Sequence, residues 1–307
     1  MSLIAASSQA LALPTSPQVR RRRIIGSIWQ AVFIAATVFA ALILVTLLTR
    51  IFTQGIDAFS LDLFTNKFTS QSALERGDAG YRTGIISSIW LVVIAALCSI
   101  PVGIGAAVYL EEYAPDNWFT RIVQINVSNL SGVPSVVYGL LGLGVLVSFF
   151  GNDFLGPSIL AGGITLGLLI LPVIIISAQE ALRAVPLSLR QGAYALGATP
   201  WQVTWHHVLP AALSGVLTGV ILSVARALGE TAPILVAGAA LFVSRAPSGP
   251  LSDYSPLPLQ VFDALGRPQA DAKAFAAAGI IIMMVLLLLL NLFAIILRER
   301  ASRRVRW

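Results

Sequence analysis

The sequence predicts an all-α polytopic membrane protein with six transmembrane helices, and three observations carry that expectation. Hydrophobic residues make up 57% of the chain and charged residues only 11%, against roughly 25% charged residues in an ordinary soluble domain. Mean hydropathy is +0.84. Stretches without Asp, Glu, Lys or Arg recur along the chain, each long enough to cross about 30 Å of hydrocarbon as a helix. A strand is excluded at these lengths, because lipid offers backbone groups no partner outside the segment itself.

In chain order the spans are 24–49, 85–110, 122–150, 155–179, 208–243 and 274–297. The fifth differs from the rest in carrying Arg226 and Glu230. A charge at bilayer depth costs about 2.5–3.5 kcal/mol even on lenient insertion scales, and such residues usually face a bundle interior or a wet cavity. A solute pathway is therefore expected, with a permanent structural salt bridge as the competing reading. The last span, aliphatic from Ile280 through Leu290, reads as lipid-facing wall.

Orientation follows from the basic residues. Arg20, Arg21, Arg22, Arg23, Arg121, Arg183, Arg190, Arg298, Arg300, Arg303, Arg304 and Arg306 fall on one side, which is expected to be cytoplasmic. On the other side, Arg50, Lys67, Arg76, Arg82, Arg245, Arg267 and Lys273 are diluted by Asp57, Asp62, Glu75, Asp78, Asp253, Asp263 and Asp271. Both termini are thus expected inside. The expected divisions are a cytoplasmic tail 1–23, a first span 24–52, an extracytoplasmic loop 53–83, a core 84–298 with a cytoplasmic loop 180–207, and a basic cytoplasmic tail 299–307. Residues 1–19 lack the order of a cleaved signal peptide and read as a disordered tail. The pI near 10 reflects topology and not a nucleic-acid footprint, since the arginines cluster beside span ends.

Enzyme readings fail on inventory. Cys98 is the only cysteine, so no disulfide or thiolate metal site is available within the chain. His206 and His207 are adjacent and point to different helix faces. No nucleophile elbow or zinc helix occurs, and no Gly-Lys precedes Ser or Thr as a phosphate-binding loop requires. The chain is expected to bind no metal and no cofactor. ATP and Mg, if transport uses them, belong to a partner.

The loop 180–207 offers a surface for such a partner. Pro186 can open a helix and Gly197 can close it in the left-handed conformation. Thr199 is a good N-cap, Pro200 suits the first helical position, and Leu209 and Pro210 lead back into the membrane. Leu187, Arg190 and Tyr194 stand at helical spacing and suit a partner's groove. The alternative is an interfacial helix that only anchors the bundle, with Trp201 and Trp205 in the aromatic belt. Elsewhere, Pro134 and Pro233 each remove a helical hydrogen bond and are expected to kink their spans beside the candidate pathway residues Ser131, Ser135, Tyr138 and Thr231. Singly, these residues also fit plain helix packing.

Specific blocks carry a resemblance. Gln191-Gly192-Ala193, then Gly197, then Leu209-Pro210 resembles the Glu-Ala-Ala loop of ABC importer permeases, which docks into a cleft of the ATPase subunit. Here Gln191 stands in place of the usual glutamate, Gly192 of an alanine and His207 of an aliphatic residue. Asn129-Leu-Ser-Gly-Val-Pro-Ser-Val-Val-Tyr138-Gly139 and Ala225-Arg-Ala-Leu-Gly-Glu-Thr-Ala-Pro233 look like the signatures of the phosphate-uptake permeases. Thr231-Ala232-Pro233, Leu110-Glu-Glu-Tyr-Ala114 and Leu257-Pro-Leu-Gln-Val-Phe262 look more like the PstA branch of that family than its sister PstC. The resemblance runs from about Gly84 to Arg298.

The resemblance implies a MetI-like, type I importer permease fold in the bacterial cytoplasmic (inner) membrane. It implies pairing with a PstC-like permease, delivery by an extracytoplasmic PstS-like phosphate-binding protein, and drive from a PstB-like ATPase dimer. Arg226 would then present a planar fork of donors suited to phosphate oxygens, and Glu230, on nearly the same helical face, would neutralise it when the path is empty. Alternatives are the sister permease itself, a permease for sulfate or molybdate, and a secondary transporter without an ATPase. The last is disfavoured by the lack of an internal repeat.

Overall fold

The computed structural model describes residues 17–66, 73, 78–149, 155–239, 243 and 246–303, and every regular element within them is helical. Residues 1–16 and 304–307 of the expected tails, residues 67–72 and 74–77 of the loop 53–83, Phe150 of the third span and residues 240–242 of the fifth lie outside the described residues. The elements in order are α1 (Pro17–Ile56), α2 (Asp62–Thr65), α3 (Arg82–Val108), α4 (Trp118–Ser131), α5 (Ser135–Leu141) and α6 (Ile159–Arg183), followed by α7 (Leu187–Ala195), α8 (Pro200–Val203), α9 (Leu209–Gly229), α10 (Ala232–Val236), α11 (Leu257–Leu265) and α12 (Ala270–Arg303). Wide π-helical turns extend α3 over Tyr109–Tyr113, α5 over Gly142–Phe149, and join α8 to α9 over Thr204–Val208.

Among the described residues five helices are long and apolar enough to cross a membrane, or six with the bent pair Trp118–Ser131 and Ser135–Phe149 counted as one span. α1 is a single 40-residue helix, about 60 Å at 1.5 Å per residue, so it already begins seven residues before the expected first span. α12 likewise continues past Leu297 to Arg303, which makes the start of the expected basic tail helical.

The described residues from Gln54 onward form one compact unit, in which α3, α6 and α9 pack face to face. Leu91 and Ile94 of α3 meet Leu166, Ile170 and Ile174 of α6, and Val216 and Val220 of α9 complete the same buried cluster. Small residues set the spacing. A Cβ on Gly163 would lie 2.6 Å from an Ile94 methyl, and one on Gly219 would lie 2.1 Å from the Ser177 hydroxyl oxygen, so these crossings need backbones to approach closely. Pro101 and Pro172 sit inside α3 and α6 without ending either helix.

Two expected spans are interrupted outright where kinked helices were expected. The third is not a kinked helix: α4 stops at Ser131, and α5 leaves at 106° to it. Pro134 is the N-cap residue of α5, with φ −55° and ψ 137°. The fifth is also broken, because α9 ends at Gly229 and α10 begins at Ala232. Pro233 occupies the first turn of α10 and not a helix interior. In both places proline takes the position where its missing N–H would be unsatisfied anyway, so a new helix start costs less than a bend in an old one.

The end of the bundle carrying α7 and α8 follows its predicted punctuation. α7 starts directly after Pro186, and Gly197 adopts φ +82°, a conformation that costs an L-residue roughly 1–2 kcal/mol. Thr199 caps α8 in a reciprocal capping box with Gln202. α8 is not a separate helix before the membrane, since the turn Thr204–Val208 runs on into α9. The Leu209 amide reaches back five residues to the Thr204 carbonyl, and this wide turn lets Pro210 follow without stopping the helix.

Candidate functional site

The two interrupted spans meet. At the first break the Gly132 amide donates to Asn129 O and the Val133 amide to Leu130 O. The Tyr138 hydroxyl reaches back from α5 to the same Leu130 carbonyl at 2.9 Å. Tyr138 thus adds a second donor to a carbonyl for which Pro134 offers no amide. On the next residue, a Cβ on Gly139 would lie 2.7 Å from Pro233 O and 2.9 Å from the Val236 Cβ. Only a residue without a side chain lets α5 lie this close to α10, so the two signature blocks of the sequence are held against each other.

At the second break Glu230 is the residue after α9, with φ −77° and ψ 120°, and its amide donates to Ala227 O. The expectation that it shares a helical face with Arg226 is corrected on this point: Glu230 is extended and outside the helix. The charges still pair. Arg226 Nε donates to Glu230 Oε1 at 3.3 Å, with the arginine side chain 53% exposed and the glutamate 19%. The contact is long and rests on one nitrogen, so the rest of the guanidinium is open to a second acceptor. Thr231 is half-buried in the same break, and the Leu235 amide donates to its carbonyl.

The remaining pathway candidates divide. Ser131 turns its hydroxyl back onto Ser128 O at 2.6 Å, so it is engaged within α4. Ser135 is half-buried at the first position of α5.

At the α7 end the candidates also divide into outward and inward sets. Gln191, Gly192, Tyr194 and Gly197 are exposed, as are Leu187 and Leu196. Ala193 is buried, and Leu209 and Pro210 are half-buried at the start of α9. Trp201 and Trp205 are exposed and stacked, with ring centroids 5.4 Å apart. His206 Nδ1 lies 3.2 Å from Gln202 O, one turn back along its own helix. Arg190, expected to face a partner along with Leu187 and Tyr194, points inward instead. Its Nη1 donates to Val185 O at 2.8 Å, and its Nη2 to Leu182 O at 2.9 Å and to Glu112 Oε1 at 2.8 Å.

Glu111 and Glu112 are functional candidates that the residue-by-residue reading missed. Both sit in the π-helical turn that ends α3, where Glu111 pairs with Arg183 at 2.8 Å and Glu112 with Arg190 at 2.8 Å. A signal was available: the topology places two acids at the end of the second span on the same side as the two arginines of loop 180–207.

The family of binding-protein-dependent transport system inner membrane components matches residues 99–307. The chain is 44% identical over 149 residues to the probable ABC transporter permease protein YqgH of Bacillus subtilis, covering 48% of each chain. It is 33% identical over 264 residues to the phosphate transport system permease protein PstA of Yersinia pestis, covering 86% of each. Among solved structures it is similar to a chain of a bacterial alginate ABC transporter in complex with an alginate-pentasaccharide-bound periplasmic protein. That match has a TM-score of 0.59 at 17% identity and covers 93% of this chain and 97% of the other. The fold is that of an ABC importer permease.

Proposed function

Because the chain belongs to the family of binding-protein-dependent transport system inner membrane components, we propose that it is the permease subunit through which an ATP-driven importer passes inorganic phosphate. The observation that carries this reading is the likeness to PstA, 33% identity across 86% of both chains. The finer assignments are a PstC-like second permease, a PstS-like extracytoplasmic phosphate-binding protein, a PstB-like ATPase dimer and the bacterial inner membrane. ATP and Mg act on the ATPase, and the end carrying α7 faces it from the cytoplasmic side.

The site chemistry supports the reading. Arg226 offers a planar, permanently charged fork that suits two oxygens of a tetrahedral oxyanion. With the path empty, Glu230 satisfies that charge at 3.3 Å. An arriving phosphate is a better acceptor for the fork and repels the carboxylate. Glu230 can yield because it lies in extended backbone beyond α9, where its side chain can turn away while its amide stays on Ala227 O. The break thus supplies a hinge beside the charge it controls.

The test is ATP-driven uptake of radiolabelled phosphate by vesicles that hold the complete assembly, with sulfate and molybdate as competitors. Labelled uptake that excess unlabelled phosphate suppresses and sulfate or molybdate does not supports the reading. Uptake that sulfate or molybdate suppresses equally well assigns the subunit to another oxyanion.

A further inference from the structure

The most connected charged group at the α7 end is Arg190, which joins three elements through one guanidinium. Its Nη1 and Nη2 bind Val185 O, just beyond α6, and Leu182 O in its last turn, which also accepts the Val185 amide. Its Nη2 also binds Glu112 Oε1, in the turn that ends α3. The pair is enclosed, with side-chain exposures of 15% and 8%, unlike the neighbouring Arg183–Glu111 pair, where the arginine is 55% exposed. The apolar hold of α7 on the bundle is limited to Ala193, its one buried residue, and half-buried Leu189, both packed into the main cluster. α3 and α6, the two helices gripped, form the most extensive helix contact in the core.

We infer that Arg190 and Glu112 form the mechanical joint that carries movement of α7 into α3 and α6, as positioning residues that couple ATP hydrolysis to solute passage. This rests on the permease reading above. The fork geometry explains why one residue suffices: a planar guanidinium fixes direction as well as distance, so a rotation of α7 displaces the α3 turn instead of being absorbed. The π-helical form of that turn fits the role, since such bulges frequently occur at functional sites. Removing Arg190 leaves the Glu112 carboxylate enclosed without its partner and cuts α7 from both helices, whereas removing Glu112 cuts the link to the α3 turn and leaves Arg190 on the α6 carbonyls. The exposed surface of α7, with Gln191, Gly192 and Tyr194, stays intact for the ATPase.

The experiment uses the complete transporter in nanodiscs and measures phosphate moved per ATP hydrolysed for Glu112→Ala, Arg190→Ala and the double variant, with ATPase co-purification scored for each. Each single variant should lower the ratio about tenfold while the ATPase stays bound, as expected for loss of the one charge-assisted bond that both variants remove. The double variant should be no worse than either single. Glu112→Gln, which keeps an acceptor without the charge, should fall between. An unchanged ratio, or single effects that add in the double variant, would overturn the joint. Loss of ATPase binding with a normal ratio in the remaining complexes would also overturn it and make Arg190 a docking residue. Amide exchange of residues 187–195, measured without any solute, should quicken in both single variants. That readout tests the joint even if the assembly turns out to move a solute other than phosphate.

Discussion

The Tyr138 hydroxyl donates to the Leu130 carbonyl at 2.9 Å, across a break that turns the chain through 106°. Leu130 is the residue whose helical partner would have been the amide that Pro134 lacks. A side chain four residues beyond the proline thus repairs what the proline removes. Tyr138→Phe keeps the ring and loses the donor, which should lower stability by about 1 kcal/mol. Denaturant titration of the purified subunit reads this directly, and an unchanged midpoint would show that the adjacent Val133 amide alone satisfies the carbonyl.

Gly139 is where the two breaks touch. Alanine there would place a methyl 2.7 Å from Pro233 O and 2.8 Å from Pro233 Cα, and backbone atoms cannot rotate away. Gly139→Ala should cost about 1–3 kcal/mol as overpacking and shift α10 together with the Glu230 break. Gly144→Ala, with open space around it, should leave stability unchanged or slightly raised. Paired thermal melts check both.

Gly197 holds the turn between α7 and α8 at φ +82°. Nothing lies within 4 Å of its would-be Cβ, so the penalty of Gly197→Ala is conformational alone, roughly 1–2 kcal/mol. Thr199→Ala removes the cap of α8 and should cost about 1 kcal/mol. Amide exchange should quicken across 187–203 in both variants while the α3–α6 core stays protected. Exchange that quickens throughout the core would contradict this local account.

These residues show what the sequence could and could not display. Crossings were legible because hydropathy and charge are local, and the α7–α8 turn was legible because Pro186, Gly197, Thr199 and Pro200 each have one favoured position at a helix end. The breaks at 132–134 and 230–231 were not. Proline inside a helix and proline opening one look alike in sequence: Pro101 and Pro172 remain interior, whereas Pro134 and Pro233 start new helices. Arg190 was misplaced for a different reason. Its partner Glu112 is 78 residues away, and helical spacing alone marks a face without saying what covers it.

Burial pushes the hydroxyls of Tyr81 and Tyr254 well above the usual tyrosine range, and both residues lie outside the spans. An unfolded tyrosine loses its proton near pH 10, before either folded one does. Their contribution to stability is therefore fully present below about pH 10 and is lost as pH rises toward the folded values. The Tyr254 hydroxyl has no hydrogen-bond partner among the described residues. Tyr254→Phe should accordingly be near neutral at pH 7 and flatten the alkaline loss. Stability curves from pH 8 to 12 check this, and an equally steep loss in the variant would assign it to other groups.

In the proposed function Arg226 is available to solute, with Glu230 as its exchangeable partner. The direct measurement is ATP-driven phosphate uptake by the complete assembly carrying Arg226→Gln, with subunit association verified. Because the arginine is 53% exposed, the variant should assemble and melt like the parent, yet lose uptake by about a hundredfold or more, as for removal of a charged substrate contact. Normal uptake by an intact assembly would contradict the account and leave the pair as a structural tie between α9 and the break that follows it.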